Sequence, residues 1–588
     1  MKALILAAGY GERMRPLTDD SHKALLEISG ETIISRIVNG LGEVDITNII
    51  VVLGYRDREL KEYLRQEHPT VNFHFIVNER YAETNNIYSL ALALENLSID
   101  DDIILIESDL VFRPDILRKL IDSSYANVAL VDKYRTGMDG TVVKITGSRI
   151  TEVIPPHLQS ADFNFKDKYK TLNVYKFGKD FINGNFKKII TYYAKTIDDN
   201  CYYELILGLL IYMQQEGIHS EIVEGENWAE VDDPNDLSNA EFLFNVSSRL
   251  DILESSFGGY WNYDVLDFCF IRNMYFPSDS MISEMKGSFN KLIHNYGSKQ
   301  KILNRKLSYA ILCDEDKVQL LNGASQIYPV LQSLYGYQKV LLPQPTFGEY
   351  TRVFSNVEIY GDSVGINISE VEAKLGNVDL AVFVNPNNPT GTTLKTDWIY
   401  LLAKEKPEKL FVVDESFIDF SDQPTIISLL EKQPLENIFV ITSLSKTWGV
   451  PGVRLGYCYT PNKKLMSHIR ASTPIWNSNS FAEFYLEIFL KHKGAFNESL
   501  RKTKEDREVF AGMLKSLSVV DTVYPSGANF LLVRLTGNGE QADRLVKQML
   551  EHNIFMKDVS PKFSDNRGYL RFAVRRFNDH EILLYLLQ

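Results

Sequence analysis

The pattern of apolar and polar positions divides the chain into two stretches of alternating strands and helices. Lys2–Ala7 is almost entirely apolar, which predicts a strand buried on both faces. Asn48–Leu53, Asn72–Val77 and Asp102–Glu107 read as further strands, and Asp57–Glu67 as an amphipathic helix. This βα rhythm predicts a mostly parallel sheet whose ligands sit beyond the carboxyl ends of its strands. Asp236–Leu250 reads as a helix closing the first domain. Asp251–Trp261 is rich in polar residues and breakers, so the first domain is drawn at residues 1–245, a linker at 246–262 and a second domain at 263–588. From about Asp264 the pattern is again α/β, which makes α/β the expected fold class of both halves.

Length and composition agree with two domains. At 588 residues the chain is too long for one core, and 45% hydrophobic with 24% charged residues is ordinary for a folded protein. A net charge of -14 argues against non-specific binding to nucleic acid or an anionic membrane. The four cysteines, Cys201, Cys269, Cys313 and Cys458, lie far apart. Neither a zinc knuckle nor a disulfide framework is expected, which fits a reducing cytoplasm. The opening Met-Lys-Ala-Leu-Ile-Leu-Ala-Ala could pass for a short signal peptide, but the run meets Gly-Tyr-Gly-Glu-Arg, which favours a buried first strand. The apolar run Leu205–Met213 is too short to span a bilayer.

The first strand ends in Ala8-Gly9-Tyr-Gly11-Glu-Arg13-Met-Arg15-Pro-Leu-Thr18, followed by Lys23. Glycines directly after a strand let backbone N–H groups approach phosphate oxygens closely, and Arg13 and Lys23 add fixed positive charge. Ile103–Asp109 ends a strand in carboxylates, and Glu230-Val-Asp232-Asp233 forms a second acidic cluster. Such clusters suit Mg²⁺, although each alone is more often a solvated turn. Together with the Gly-Arg loop they predict a metal-dependent phosphoryl site. Asn85 reads either as a ligand residue or as a helix N-cap.

These residues, with Asn85-Asn86-Ile-Tyr88-Ser89-Leu90, resemble the sugar-nucleotidyltransferase superfamily, most of all the CTP:phosphocholine cytidylyltransferases. The resemblance implies a Rossmann-like nucleotidyltransferase sheet and Mg²⁺ held by Asp109 and Asp232. It implies that Ala8, Gly9, Gly11, Arg13 and Lys23 bind the nucleotide, with Lys23 also catalytic, and that Asn85, Asn86 and Tyr88 line the acceptor side. The implied reaction is in-line attack of a phosphate monoester on the α-phosphorus of CTP, releasing pyrophosphate. Preference for cytosine comes from the resemblance alone.

In the second half, Ser443-Leu-Ser445-Lys446-Thr-Trp-Gly-Val-Pro-Gly-Val-Arg454 sets a lysine among small hydroxyl residues, with glycines and an arginine nearby. A lysine so placed suits holding pyridoxal phosphate (PLP) as an imine; a surface lysine in a Gly-rich loop would look the same in isolation. Upstream partners decide between the two. Gly323-Ala324-Ser325 precedes a helical run and suits a phosphate dianion, and Phe347 could stack on a ring. Asn385-Pro-Asn-Asn388-Pro-Thr-Gly391 ends a strand in amides, and Leu410–Asp414 ends one in a carboxylate, the anion that keeps a pyridinium nitrogen protonated.

The ordered set resembles fold-type I PLP enzymes of the class I/II aminotransferase family, nearest to histidinol-phosphate aminotransferase and threonine-phosphate decarboxylase. The resemblance implies an imine at Lys446 and a ring-nitrogen partner in Asp414, both catalytic. It implies that Asn388 bonds the phenolic oxygen, Phe347 stacks on the ring, and Ala324, Ser325, Ser443, Ser445 and Arg454 hold the phosphate. Arg571 fits the substrate-carboxylate arginine and Arg575 a further anion contact. The usual Asn-x-Asn-Pro signature is replaced by Phe270-Ile-Arg272-Asn273-Met-Tyr275. Where aminotransferases of this branch carry a tyrosine in Asp-Glu-Ala-Tyr, this chain has Phe417, as in the decarboxylases, and Ala573-Val-Arg575 also resembles them. A homodimer through this domain is implied as well.

Coupling the halves predicts a bifunctional enzyme making a CDP-ethanolamine type of donor for a surface polymer such as capsular polysaccharide. Its partners would be CTP and phosphoserine or ethanolamine phosphate, with PLP and Mg²⁺ as cofactors. The alternative is a cytidylyltransferase fused to an aminotransferase acting on a phosphorylated amine or 2-aminoethylphosphonate. A non-catalytic scaffold is disfavoured, because Lys446, Asp414, Asp109, Asp232 and Lys23 are all present.

Overall fold

The computed structural model describes all residues except 136, 161–162, 214–216, 224–227 and 364. The chain forms two compact units, Met1–Tyr263 and Asp264–Gln588.

The first unit is built on a nine-stranded sheet. Lys2–Ala7 lies between Asn48–Leu53 and Ile103–Glu107, parallel to both, with Ile5 opposite Val51 and Ile106. Asn72–Val77 continues the parallel part beyond Asn48–Leu53. Ala3, Ile5 and Ala7 face one core and Leu4 and Leu6 the other, so this strand is buried on both faces as its apolar run predicts. Each aliphatic side chain so buried contributes about 1.5–3 kcal/mol. Asp57–Glu67 is the amphipathic helix, burying Leu60 and Leu64 one turn apart.

Beyond Ile103–Glu107 the sheet departs from the expected mostly parallel arrangement. Tyr169–Phe177 pairs antiparallel with Ile103–Glu107 and with Val128–Lys133. Val142–Thr146 and Arg149–Ile154 form a hairpin. Gly147, with φ +62°, sits in its turn, and an antiparallel pair needs only such a short connection. The segment 246–262, expected as a linker, holds the helix Arg249–Ser256. Arg249 is buried and donates to the carbonyls of Phe242 and Leu243, which ties the segment to the preceding helix Pro234–Phe244.

The second unit has a seven-stranded sheet. Its order is Val318–Asn322, Leu455–Tyr459, Ile438–Ser443, Leu410–Asp414, Leu380–Val384, Lys339–Gln344, Asn356–Gly361. Only Leu455–Tyr459 runs against its neighbours. Leu341, Phe383, Val413 and Val440 pack on one face and Leu342, Val382, Val412 and Ile441 on the other. This is the continuous apolar signature of strands covered on both sides. A four-stranded antiparallel sheet includes Phe530–Asn538 and Arg567–Ala573. The 23-residue helix Lys493–Lys515 turns Phe496, Ser499, Thr503, Arg507, Phe510 and Leu514 inward at helical spacing.

Candidate active sites

In the second unit the carboxyl ends of the parallel strands converge on one place. Asp414 is the last residue of its strand, Ser443 the last of the next, and Lys446 lies in the short helix Leu444–Thr447 that follows. Asp414 is buried; its Oδ2 accepts from the Tyr350 hydroxyl at 2.7 Å and its Oδ1 from the Ser416 backbone N–H at 3.0 Å and hydroxyl at 2.6 Å. Burial pushes the Asp414 carboxyl above its usual value, against these donors, which favour the anion. The Ser416 hydroxyl also accepts from the Ser443 N–H, which joins the two strand ends.

Burial, reinforced by Arg571 and Arg454, pushes the Lys446 ammonium down to about 8. Near-neutral solution therefore holds a useful fraction of free amine. Asn273 steadies this lysine's helix: its N–H donates to the Lys446 carbonyl at 2.9 Å and its side chain to the Thr447 carbonyl at 2.9 Å. Arg454 Nη2 donates to Ser325 Oγ at 3.1 Å. Gly323 beside it has φ +76°, which favours glycine, and a Cβ there would displace the Arg454 guanidinium, whose Nη2 would lie 2.3 Å away. Ala324 opens the short helical turn Ala324–Ile327 beside it, and Ser445 is buried with its hydroxyl at the Leu455 carbonyl. Phe347 remains partly exposed at the start of the helix Gly348–Val353.

Arg571 reaches the same place from the smaller sheet. It donates to Asn388 Oδ1 at 2.8 Å and to the Cys269 carbonyl at 2.6 Å, while its Nε is buried without a partner. Arg575 is directed elsewhere: it pairs with Asp579 at 3.0 Å and donates to the Asp267 carbonyl at 2.9 Å. Phe417 is buried among Ile271, Ala528, Phe530 and Ala573, with its ring edge-to-face on Phe530 at 5.2 Å. The residues present fit PLP, in a glycine-floored cradle beside Arg454, a buried carboxylate, a buried lysine and the unsatisfied Arg571 Nε. When bound, PLP would supply an electron sink; Asp414 would face its ring nitrogen, Lys446 would offer the amine, and Arg571 would receive a carboxylate.

The first unit encloses a cavity of about 550 Å³ lined by Ala8, Gly9, Gly11, Arg13, Lys23, Asn85, Asn86, Asp109 and Asp232, among others. Lys23 Nζ donates to Asp109 Oδ2 at 3.0 Å and to Asp232 Oδ1 at 2.7 Å. Arg13 reaches Asp232 Oδ2 at 2.8 Å. Burial opposes the Lys23 charge, yet Asp109 and Asp232 hold its ammonium above the usual lysine range. Asp232 is held below the usual carboxylate range, because Lys23 and Arg13 outweigh its burial. Asp109 Oδ1 is buried without a partner, and Asp139, Glu230 and Asp232 each offer an oxygen within 4.8 Å of the others. This all-oxygen donor set fits Mg²⁺.

Asn85 is the N-cap of the helix Asn86–Asn96, accepting from the Asn86 N–H at 2.8 Å. Asn86 donates to Glu107 Oε1 at 3.0 Å. Tyr88 lies under the Arg80 guanidinium, 5.2 Å from its ring centre, and Tyr202 lines the cavity instead. Sequence reasoning did not single out Lys170, Glu204 or Tyr202 here, nor Tyr350, Ser416 and Asn273 in the second unit. One signal was present: Glu204 is a charge at the start of an otherwise apolar run. Burial pushes the Glu230 carboxyl up to about 7 against the pull of Lys170, and pushes Glu107 and Glu204 upward too.

Residues 286–582 match the aminotransferase class I and II family. The chain belongs to that family. Residues 3–159 match the MobA-like NTP transferase domain. Over 598 residues this aminotransferase-family chain is 29% identical to the CMP-5'-(3-aminopropyl)phosphonate synthase of Streptomyces rubellomurinus, covering 99% of this chain and 94% of that protein. It is 28% identical over 343 residues to the L-serine phosphate decarboxylase of Campylobacter jejuni, covering 54% of this chain and 87% of the relative. The solved histidinol-phosphate aminotransferase of Clostridium acetobutylicum matches with a TM-score of 0.50 at 26% identity, over 55% of this chain and 98% of that one. The chain is thus a nucleotidyltransferase joined to a fold-type I PLP domain of aminotransferase or decarboxylase type. PLP is the cofactor of the second unit, and Mg²⁺ is what NTP transferase domains such as the first typically use. Among the described residues, no helix is long and apolar enough to cross a membrane.

Proposed function

We propose that the first unit transfers the cytidylyl group of CTP to the phosphate or phosphonate oxygen of a short amine-bearing acceptor, releasing pyrophosphate. The second unit decarboxylates the corresponding amino acid. The product is a CMP-linked aminoalkyl phosphonate or phosphate of the CDP-ethanolamine type, a head-group donor for a surface polymer. Asp109 and Asp232 hold Mg²⁺, Lys23 and Arg13 face the triphosphate, and Lys446, Asp414, Asn388 and Arg571 serve the PLP reaction.

The observation that carries this reading is Phe417. Its buried side chain presents only carbon where aminotransferases of this branch carry a tyrosine hydroxyl, and its neighbour Phe530 also lies under the Arg571 guanidinium. Both reactions start from the same bound amino acid and differ in which Cα bond stands perpendicular to the ring. Similarity to a serine phosphate decarboxylase over the second half supports the same choice, and similarity to a CMP-aminopropylphosphonate synthase over both halves supports a CMP-linked aminoalkyl product.

The test is incubation of the PLP-loaded protein with CTP, Mg²⁺ and either phosphoserine or 2-amino-4-phosphonobutyrate, followed by mass spectrometry. Loss of CO₂ with formation of a CMP conjugate is expected. Amino transfer to an added 2-oxo acid, with CO₂ retained, would replace the decarboxylase with its aminotransferase rival.

A further inference from the structure

The two ends of the first unit's cavity differ in charge balance. At the nucleotide end, the three carboxylates Asp109, Asp139 and Asp232 face two cations, Lys23 and Arg13. Beyond it, Glu107 and Glu204 face the single ammonium of Lys170, which already pairs at 3.1 Å with Glu230, the carboxylate that also borders Asp139 and Asp232. Among the described residues neither Glu107 nor Glu204 has a lysine or arginine at ion-pair distance. Glu204 is 3% exposed, lines the cavity, and its Oε2 has no hydrogen-bond partner. A buried carboxylate oxygen left unsatisfied is costly unless a ligand completes it.

The neighbours are placed to orient such a ligand. Asn86 donates to Glu107 Oε1 at 3.0 Å and accepts from the Tyr203 N–H at 3.0 Å, which fixes its amide between the two acidic elements. Lys170 is engaged already, by Glu230 at 3.1 Å, and its ammonium occupies the space that a side chain at Gly140 would fill.

We infer that Glu107 and Glu204 form a receptor for the primary ammonium group of the acceptor, so that the first unit selects amine-terminated phosphate or phosphonate monoesters. This rests on the cytidylyl-transfer reading of that unit and names what the acceptor must carry. Glu107 ends its strand and Asp109 follows two residues later, so their Cα atoms are at most about 7 Å apart and both carboxylates belong to one strand end.

The experiment measures Mg²⁺-dependent pyrophosphate release from CTP with two pairs of acceptors. Ethanolamine phosphate is compared with 2-hydroxyethyl phosphate, and 3-aminopropylphosphonate with propylphosphonate. At least about tenfold higher kcat/KM is expected for the amine of each pair, as for a charge-assisted hydrogen bond. In Glu204→Gln, and separately in Glu107→Gln, that preference should fall to about threefold or less, chiefly through KM of the amine. Equal use of amine and hydroxyl acceptors by the unaltered protein overturns the inference, and that comparison needs no variant to fold. Equal losses for both acceptors in both variants overturn it too, as does a raised Mg²⁺ requirement with the amine preference intact. Release with none of the four acceptors overturns the cytidylyl-transfer reading itself, and the inference with it.

Discussion

Lys23 Nζ lies 2.7 Å from Asp232 Oδ1 and 3.0 Å from Asp109 Oδ2, so one ammonium holds together the two carboxylates expected to bind Mg²⁺. The buried lysine neutralises them, and an incoming cation must compete with it. Replacing Lys23 by Met removes that competitor and also removes a charge meant for the triphosphate. We expect Lys23→Met to bind Mn²⁺ about tenfold more tightly without nucleotide, read by paramagnetic resonance. Pyrophosphate release should fall by about 10²–10³-fold, as when one transition-state donor is lost. Unchanged Mn²⁺ binding would show that the metal sits clear of this lysine, at Asp139 and Glu230 for example.

The hydroxyl of Tyr350 donates to Asp414 across 2.7 Å in a fully buried setting. Tyr350→Phe leaves that carboxylate oxygen one donor short, at a cost of about 1–3 kcal/mol to its anionic form. The ring-nitrogen partner is weakened, so PLP should dissociate about tenfold more readily and turnover should drop by a similar factor. Dialysis against buffer, followed by absorbance of the retained cofactor, checks this. Retention equal to the parent protein would reduce Tyr350 to a packing residue.

Phe417→Tyr introduces a hydroxyl among Ile271, Ala528, Phe530 and Ala573, where it needs a partner to avoid a penalty. The phenolic oxygen of bound PLP is the expected one. The substitution should raise amino transfer relative to CO₂ release by about fivefold, roughly 1 kcal/mol of bias. Quantifying CO₂ and amine transferred to a 2-oxo acid from one incubation gives the ratio directly. A ratio that does not move would separate the choice of bond from this position.

Much of both sites was legible because the chemistry sits at strand ends. Asp414, Ser443, Lys446 and Asn388 each follow an apolar run that ends in a functional group, and the parallel sheet gathers those ends. Partners supplied by tertiary packing were not legible. Tyr350 and Asp414 are 64 residues apart, and nothing local marks their bond. Arg575 resembled an anion contact by its position after Arg571, but Asp579 one helical turn later claims it. Tyr88 sat inside a recognisable motif, yet the helix Asn86–Asn96 turns it toward Arg80. Glu204 opens a nearly all-apolar helix, a local contradiction that burial and a functional cavity explain together.

Lys446 carries the last prediction, because its ammonium is pushed down to about 8 by burial first and by the positive charges of Arg571 and Arg454 second. Capture of PLP by the apoprotein needs the unprotonated amine. The capture rate should therefore rise about tenfold per pH unit below about 8 and level off above it. The sign for stability agrees. The folded chain releases this proton near pH 8 while the unfolded chain keeps it to about 10.5, so the unfolded state binds more protons in that window. The penalty for burying the ammonium is full below about pH 8 and is relieved as pH rises toward 10.5. Arg571→Gln removes the larger of the two charges, which favours the ammonium and moves the midpoint of capture to higher pH. Lys446→Ala forms no lysine-bound cofactor at any pH and lacks its visible absorption. Stopped-flow absorbance of apoprotein mixed with PLP, repeated across pH for the parent and Arg571→Gln, measures both midpoints. A midpoint that stays in place in Arg571→Gln would leave burial and Arg454 as the causes of the lowered value.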